Sequence, residues 1–425
     1  MDINRKTAFQ VLLEVEEKGA YSNIALNRFL REAGECDPAF VRELTYGVIK
    51  NKYLLDFFLE NFVKKGFKKL KTRDIVLLRE GAYQILFMDS VPSYAAVSET
   101  VNLAKKYARG REGFINGVLR NLAREKDSLK LPSEEDPISC ISVRYSCEPW
   151  IAELLIRTYG YEGARAFMEK VNGTPDLSIR VNILKNTPEE LIKILEEQGF
   201  SVRPSELSDR ALLVKGSGIL ESAAFREGRF SVQDQSSVFC ADMLMAEPGM
   251  RVMDICAAPG GKTAAVAEKM KDQGEVLAFD IYEHKLKLMD ELMKRNGISI
   301  VKTAEGDGRI FNEKYEGSFD RVLCDVPCSG LGVMGRKPEL KYRKEYPMED
   351  LNRIQREILE NASRYLRPGG IMVYSTCTVN PSENQDMISG FLEGRSSFVK
   401  DKEFCLDPVK DGCDGFYICR ILREA

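Results

Sequence analysis

The chain has 425 residues, 44% of them hydrophobic, with a formal net charge of −3, eleven cysteines and one histidine, enough for two or three separate cores. No apolar run reaches membrane-spanning length and no hydrophobic stretch follows Arg5-Lys6 to make a signal peptide, so a cytoplasmic protein is expected. The cysteines lack paired C-x-x-C spacing and the single histidine, His284, sits in Glu283-His284-Lys285 facing solvent, which argues against a disulfide scaffold, a metal site and Ser-His-Asp chemistry.

Residues 5 to 125 carry apolar positions at helical spacing, as in Ala8, Val11, Leu12 and Val15, or Ile75, Leu78, Ala82, Ile85 and Leu86. This spacing predicts an all-α domain. Further on, Ser178-Ile179-Arg180-Val181-Asn182 reads as a short strand. Thr187 can cap the helix that follows, with Pro188 in its first position and Glu190 completing a capping box, and the helix ends near Gly199.

The apolar run Val252 to Ile255 then enters a glycine-rich turn, Asp254-Ile255-Cys256-Ala257-Ala258-Pro259-Gly260-Gly261-Lys262-Thr263, and Thr263 to Met270 leaves it as a helix. Backbone N–H groups at such a helix start can meet a ligand, and small residues let it approach. A phosphate-binding P-loop would need Gly where Cys256 stands, and the G-x-G-x-x-G dinucleotide fingerprint is absent. The next strand, Val276 to Phe279, ends in Asp280, 19 residues after Gly261, where a nucleotide-binding α/β unit puts the acid that accepts from ribose hydroxyls. Together these read as a site for an adenosine-containing cofactor.

Three more strands follow the same logic. Ile300 to Thr303 leads to Glu305-Gly306-Asp307, and Phe319 to Cys324 leads to Asp325-Val326-Pro327-Cys328-Ser329-Gly330. Gly370 to Tyr374, after the turn Arg367-Pro368-Gly369-Gly370, delivers Ser375-Thr376-Cys377-Thr378, and Phe416 to Leu422 closes the sheet. Ligands of an open parallel sheet collect outside the carboxyl ends of its strands, so Asp280, Asp307, Asp325, Cys328 and Cys377 can converge. Two thiols beside such a cofactor point to covalent catalysis. A thiolate adding to C6 of a pyrimidine turns C5 into an enamine carbon able to attack an electrophilic methyl group. A thiol of pKa about 8.5 needs help to ionise, and the residues alone leave open which cysteine receives it. Cys36, Cys240, Cys405, Cys413 and Cys419 read instead as small buried hydrophobes.

The stretches Asp254 to Thr263, Asp325 to Gly332 and Ser375-Thr376-Cys377-Thr378-Val379-Asn380-Pro381-Ser382-Glu383-Asn384 closely resemble the RNA cytosine-5 methyltransferases of the NOL1/NOP2/Sun class. The resemblance implies S-adenosylmethionine as cofactor, held by Cys256, Ala257, Ala258, Pro259, Gly260, Gly261, Lys262, Asp280, Asp307 and Asp325. It also implies Cys377 as the nucleophile toward C6 and Cys328 as the residue that helps release the methylated RNA. DNA cytosine methyltransferases attack instead from the Pro-Cys position, here Cys328, so this assignment comes from family likeness. Phe230-Ser231-Val232-Gln233-Asp234-Gln235-Ser236-Ser237 looks like the family's lead-in to the cofactor domain. The fragments Arg42-Glu43-Leu44-Thr45-Tyr46-Gly47-Val48 and Phe114-Ile115-Asn116-Gly117-Val118-Leu119-Arg120 resemble the NusB-like RNA-binding domain. That fusion is typical of the bacterial small-subunit ribosomal RNA methyltransferase B (RsmB/Sun/Fmu) subfamily.

The expected architecture is therefore multidomain: an all-α NusB-like domain over residues 1–130, a linker and small α/β (RRM-like) subdomain over 131–235, and a Rossmann-like α/β methyltransferase domain over 236–425. The expected activity is methylation of C5 of a cytosine in 16S ribosomal RNA by a monomer. The alternatives are a transfer RNA cytosine methyltransferase and a non-catalytic RNA-binding or ribosome assembly factor. Charge agrees with RNA contact at the front: residues 1–130 hold 23 Lys/Arg against 17 Asp/Glu, leaving −9 for the remainder. Lys64, Lys65, Lys68, Lys69, Lys71 and Arg73 form its densest run, read equally as an RNA-contacting or a solvated face. Arg336-Lys337-Pro338-Glu339-Leu340-Lys341 invites the same two readings.

Overall fold

The computed structural model describes residues 1–63, 66–344 and 347–425. It divides into two compact units, Met1–Gly173 with Met334–Lys344, and Thr174–Val333 with Glu345–Ala425.

The first unit is helical, as the spacing predicts: α1 (Ile3–Lys18), α2 (Ser22–Glu32), α3 (Pro38–Lys50), α4 (Lys52–Glu60), α5 (Thr72–Phe87), α6 (Ser93–Tyr107), α7 (Glu112–Glu125), α8 (Pro137–Tyr145) and α9 (Pro149–Asn172), the last broken at Gly160. Local chemistry sets the ends. Asp2 caps α1 by accepting from the Arg5 N–H at 2.9 Å, and Asp37 caps α3 ahead of Pro38. Ala8, Leu12, Leu78 and Ala82 join Phe9, Leu44, Leu55 and Leu119 in one apolar core, with Val15, Ile75 and Leu86 packed at its edge.

Met334–Lys344 belongs to this unit, and its structure corrects the reading of Arg336–Lys341 at Lys341. Lys337 is exposed, but Lys341 is fully buried. Its ammonium donates to Lys50 O at 2.8 Å, Tyr145 O at 2.7 Å and Asn172 Oδ1 at 2.7 Å, so all three protons are used inside the protein. Burial pushes this group down to about 7. In the basic run, Lys69, Lys71 and Arg73 are exposed, while Lys64, Lys65 and the side chain of Lys68 lie outside the described residues.

The second unit begins with a four-stranded antiparallel sheet. Its elements are β1 (Leu177–Val181), α10 (Pro188–Glu197), β2 (Ser201–Pro204), β3 (Ala211–Lys215), α11 (Ala223–Arg226) and β4 (Phe230–Val232), in strand order β2-β3-β1-β4. The capping box at Thr187 and Glu190 forms as expected. The segment expected only as a lead-in begins with β4, paired to β1, and β2 escaped notice because it is short, mostly exposed and ends in proline.

Next come α12 (Gln235–Met243), β5 (Arg251–Asp254), α13 (Gly261–Lys269), β6 (Glu275–Asp280), α14 (Glu283–Asn296), β7 (Val301–Glu305), β8 (Phe319–Asp325), α15 (Met348–Tyr365), β9 (Leu366–Thr376), α16 (Gln385–Leu392), β10 (Phe398–Leu406) and β11 (Phe416–Arg423). The seven strands run in the order β10-β11-β9-β8-β5-β6-β7. The five from β9 to β7 are parallel and β11 is antiparallel to both neighbours, a Rossmann-like sheet with an antiparallel edge.

Two expectations need correction here. β11 does not close the sheet; β10 lies outside it, and its Lys400-Asp401-Lys402-Glu403 run, the mark of a charged edge strand, hid it from an apolar-run search. Arg367-Pro368-Gly369-Gly370 lies within the span of β9 as an irregularity in its pairing with β8, instead of preceding the strand. The order reverses at β5, since the chain proceeds outward to β6 and β7 and then returns to β8 on the other side. That switch point opens a crevice at the carboxyl ends of β5 and β8.

Candidate active site

The glycine-rich turn leaves β5 at this crevice. Asp254 is buried and accepts from Thr263 Oγ1 at 2.7 Å, tying the strand end to the first turn of α13. Burial raises the Asp254 carboxyl to about 7. Gly260 caps α13 at φ +96°, a conformation a side chain would disfavour, and an added Cβ would meet Met289 at 3.0 Å. Burial and the charges of Asp254 and Asp325 push the Cys256 thiol well above its ordinary range.

Asp280 ends β6 beside this turn and accepts from the Tyr282 N–H at 3.1 Å. Asp307 follows β7, where Arg309 grips its carboxylate at 2.6 and 3.0 Å and thereby lowers its pKa. Asp307 borders a cleft of about 270 Å³, lined also by Ile255, Phe279, Glu305, Ile310, Tyr315 and Tyr365 among others. A Cβ on Gly306 would come within 2.8 Å of the Phe279 ring, and one on Gly308 within 3.2 Å of Ile255. An apolar, aromatic-walled cleft with carboxylates at its rim suits a heterocycle joined to a sugar.

On the other side of the crevice, parallel pairing sets Asp325 of β8 opposite Ser375 of β9. Cys328 and Cys377 follow three and two residues later, so the two turns leave neighbouring strands in the same direction. Their Sγ atoms lie 3.1 Å apart, and the Cys377 N–H donates to Cys328 Sγ at 3.3 Å. Cys328 is raised well above an ordinary thiol by its hydrogen bond to Cys377, by burial, and by the charges of Cys377, Glu383 and Asp325. The two thiols therefore titrate as a coupled pair.

Lys262 connects the two halves. Its ammonium lies 2.7 Å from Asp325 Oδ2, while Ser375 Oγ donates to Asp325 Oδ1 at 2.7 Å. Burial alone would lower the Lys262 pKa, but the charges of Asp325, Cys240 and Cys377 raise it, so the cation is permanent and close enough to Cys377 to stabilise a thiolate there.

Of the remaining cysteines, Cys240, Cys413 and Cys419 are buried as expected, but Cys405 is exposed and Cys36 half-exposed, because β10 and the α2–α3 loop lie at the surface. His284 faces solvent as read. Arg180 was missed as more than part of a strand. It is fully buried, pairs with Glu268 at 2.8 and 2.9 Å, and donates to Gly261 O at 2.6 Å, so the small subdomain braces the glycine-rich turn. A charged residue at a core-facing strand position was the signal available in the sequence.

Comparison with known proteins agrees with this architecture. Residues 241–421 match the family model described as 16S rRNA methyltransferase RsmB/F, residues 2–124 match the NusB family, and 148–219 match the ferredoxin-like domain of RsmF/B-like methyltransferases. The chain is 34% identical to a probable ribosomal RNA small subunit methyltransferase B from Bacillus subtilis, over 99% of this chain and 98% of that one. It is 32% identical to the ribosomal RNA small subunit methyltransferase B of Klebsiella pneumoniae, again over 99% and 98%. The solved structure titled "Crystal Structure of PH0851" superposes with a TM-score of 0.81 at 28% identity, covering 99% of this chain and 98% of that one. Sequence, fold and full-length coverage together place this chain in the ribosomal RNA small subunit methyltransferase B family.

Proposed function

We propose that this chain transfers a methyl group from S-adenosylmethionine to C5 of a cytosine in 16S ribosomal RNA through a covalent adduct between Cys377 and C6. One observation carries the reading: two thiols 3.1 Å apart stand at the ends of adjacent strands, across the switch-point crevice from a glycine turn and an aromatic cleft. The glycine cradle at Gly306 and Gly308 and the α13 N-terminus fit the cofactor, whose heterocycle would lie in the cleft near Asp307, with Asp280 beside the sugar and Cys256–Gly261 along the remainder. When bound, that cofactor supplies an electrophilic methyl group.

Cys377, with Lys262 nearby, attacks C6, and C5 becomes nucleophilic. After C5 gains the methyl group, a base must take its proton, so that the C5–H electron pair re-forms the C5=C6 bond and the S–C6 pair returns to Cys377; Cys328 can be that base only as its thiolate. Cys328, 3.1 Å from that sulfur, is the group at hand for this step. The base must leave any stack to reach both thiols, which favours loops or unassembled RNA.

The test is transfer of labelled methyl to protein-free ribosomal RNA, assembled small subunits and bulk transfer RNA. Label on free ribosomal RNA, lost in Cys377→Ala and trapped as a protein–RNA adduct in Cys328→Ala, is expected. Label on transfer RNA alone would overturn the substrate, no label anywhere would favour a binding factor, and a normally cycling Cys328→Ala protein would sink the two-thiol scheme.

A further inference from the structure

Glu383 has no part in the scheme above, yet its side chain is fully buried and its carboxylate gathers four donors. These are Ser329 N at 2.8 Å, Ser329 Oγ at 2.5 Å, Gln355 Nε2 at 3.0 Å and Asn380 Nδ2 at 3.1 Å. The origin of the donors matters more than their number. Ser329 follows Cys328 directly, and Gln355 also donates to the carbonyl of Pro327, directly before it, at 2.9 Å. Asn380 is three residues beyond Cys377, and Ser329 Oγ lies 2.7 Å from the hydroxyl of Thr378, directly after Cys377. One carboxylate thus fastens both flanks of the Cys328 turn to the turn that carries Cys377. Glu383 is itself anchored to β9, because the Tyr374 hydroxyl donates to its carbonyl at 2.7 Å.

We propose that Glu383 is the positioning residue of the two-thiol site, setting the place of Cys328 against Cys377 and hence the rate at which the adduct is released. The inference rests on the covalent reading given above. Three of its contacts secure the Cys328 side, directly or through Gln355, whereas Cys377 is already fixed by β9. Loosening the clamp therefore displaces the thiol needed for release and leaves the attacking one in place. The Glu383 charge also raises the Cys328 thiol, which makes its thiolate a stronger base, so removing it alters the residue that acts late.

The experiment compares Glu383→Gln, Ser329→Ala and Cys328→Ala with wild type on the RNA that wild type methylates, reading single-turnover methyl transfer, steady-state turnover and adduct on a denaturing gel. Glu383→Gln keeps the shape of the side chain but replaces one acceptor by a donor facing Ser329. Its turnover should fall at least about tenfold more than its single-turnover transfer, with adduct accumulating; Ser329→Ala should show the same pattern more weakly. Should Glu383→Gln fail to fold, Ser329→Ala alone decides. Equal loss of transfer and turnover, or no adduct above wild type while Cys328→Ala traps its RNA, would overturn the proposal and spare the two-thiol scheme. Absence of adduct in Cys328→Ala itself would bring down that scheme instead, and the proposal with it.

Discussion

Lys262 and Asp325 meet at 2.7 Å although one opens the helix after β5 and the other ends β8, so an ion pair links the glycine-rich turn to the strand that carries the Cys328 turn. Because the Lys262 charge also reaches Cys377, Lys262→Met should cut methyl transfer about a hundredfold near neutral pH, where little thiolate forms without a nearby cation. Raising the pH by about two units should recover part of the loss. A pH–rate profile of single-turnover transfer checks this, and a uniform deficit at all pH values would count against the role.

Arg180→Met leaves the buried Glu268 without its bidentate partner and with only the Arg210 guanidinium, 3.9 Å away, as counter-charge. The expected cost is about 3–5 kcal/mol of unfolding free energy, measured by denaturant titration. The double variant Arg180→Met/Glu268→Leu should regain much of it, since an apolar pair removes the orphaned charge. Because Arg180 also holds Gly261 O, cofactor affinity measured by calorimetry should fall in the single variant.

Asp254 gives stability a definite pH dependence. Its carboxyl ordinarily titrates at 3.8 and is raised by burial to about 7, so between these values the folded state holds a proton that the unfolded state has lost. Its contribution is therefore complete at low pH and is lost as pH rises, by at most about 1.4 kcal/mol per unit. Asp254→Asn should remove that slope: thermal melts should show the variant gaining on wild type from about pH 4 to about pH 7 and holding its advantage above.

Gly332 sits where the Cys328 turn meets the loop before β11. Its N–H donates to Cys377 O at 3.0 Å, and a Cβ there would lie 1.8 Å from Gly415 O, which is backbone and does not give way cheaply. Gly332→Ala should lower turnover at least about tenfold by shifting the Cys328 turn, while cofactor binding stays within about twofold of wild type. Parallel activity and calorimetry measurements test it.

The carboxyl-end residues were legible because strand, turn and acid recur in a fixed order after β5, β6, β7 and β8, and a parallel sheet turns that order into proximity. The all-α front was legible because Leu78 and Ala82 keep helical spacing. What escaped lacks a local signature. β10 is charged and β2 exposed, so neither shows an apolar pattern. Arg180 and Lys341 are cations whose burial depends on acceptors distant in sequence, such as Glu268 and Tyr145. A short-range pattern carries no trace of such partners, and a surface role was the natural but mistaken inference for Lys341.

The return of Met334–Lys344 to the first unit means that the order of domains along the chain and the order in which they can be separated differ. A fragment ending at Gly173 would contain every α-helix of the front region and still lack its internal lysine, leaving Lys50 O, Tyr145 O and Asn172 Oδ1 facing a hollow. Anyone grafting this front region onto another catalytic domain would have to carry the eleven-residue return along, or supply the three acceptors with a new donor.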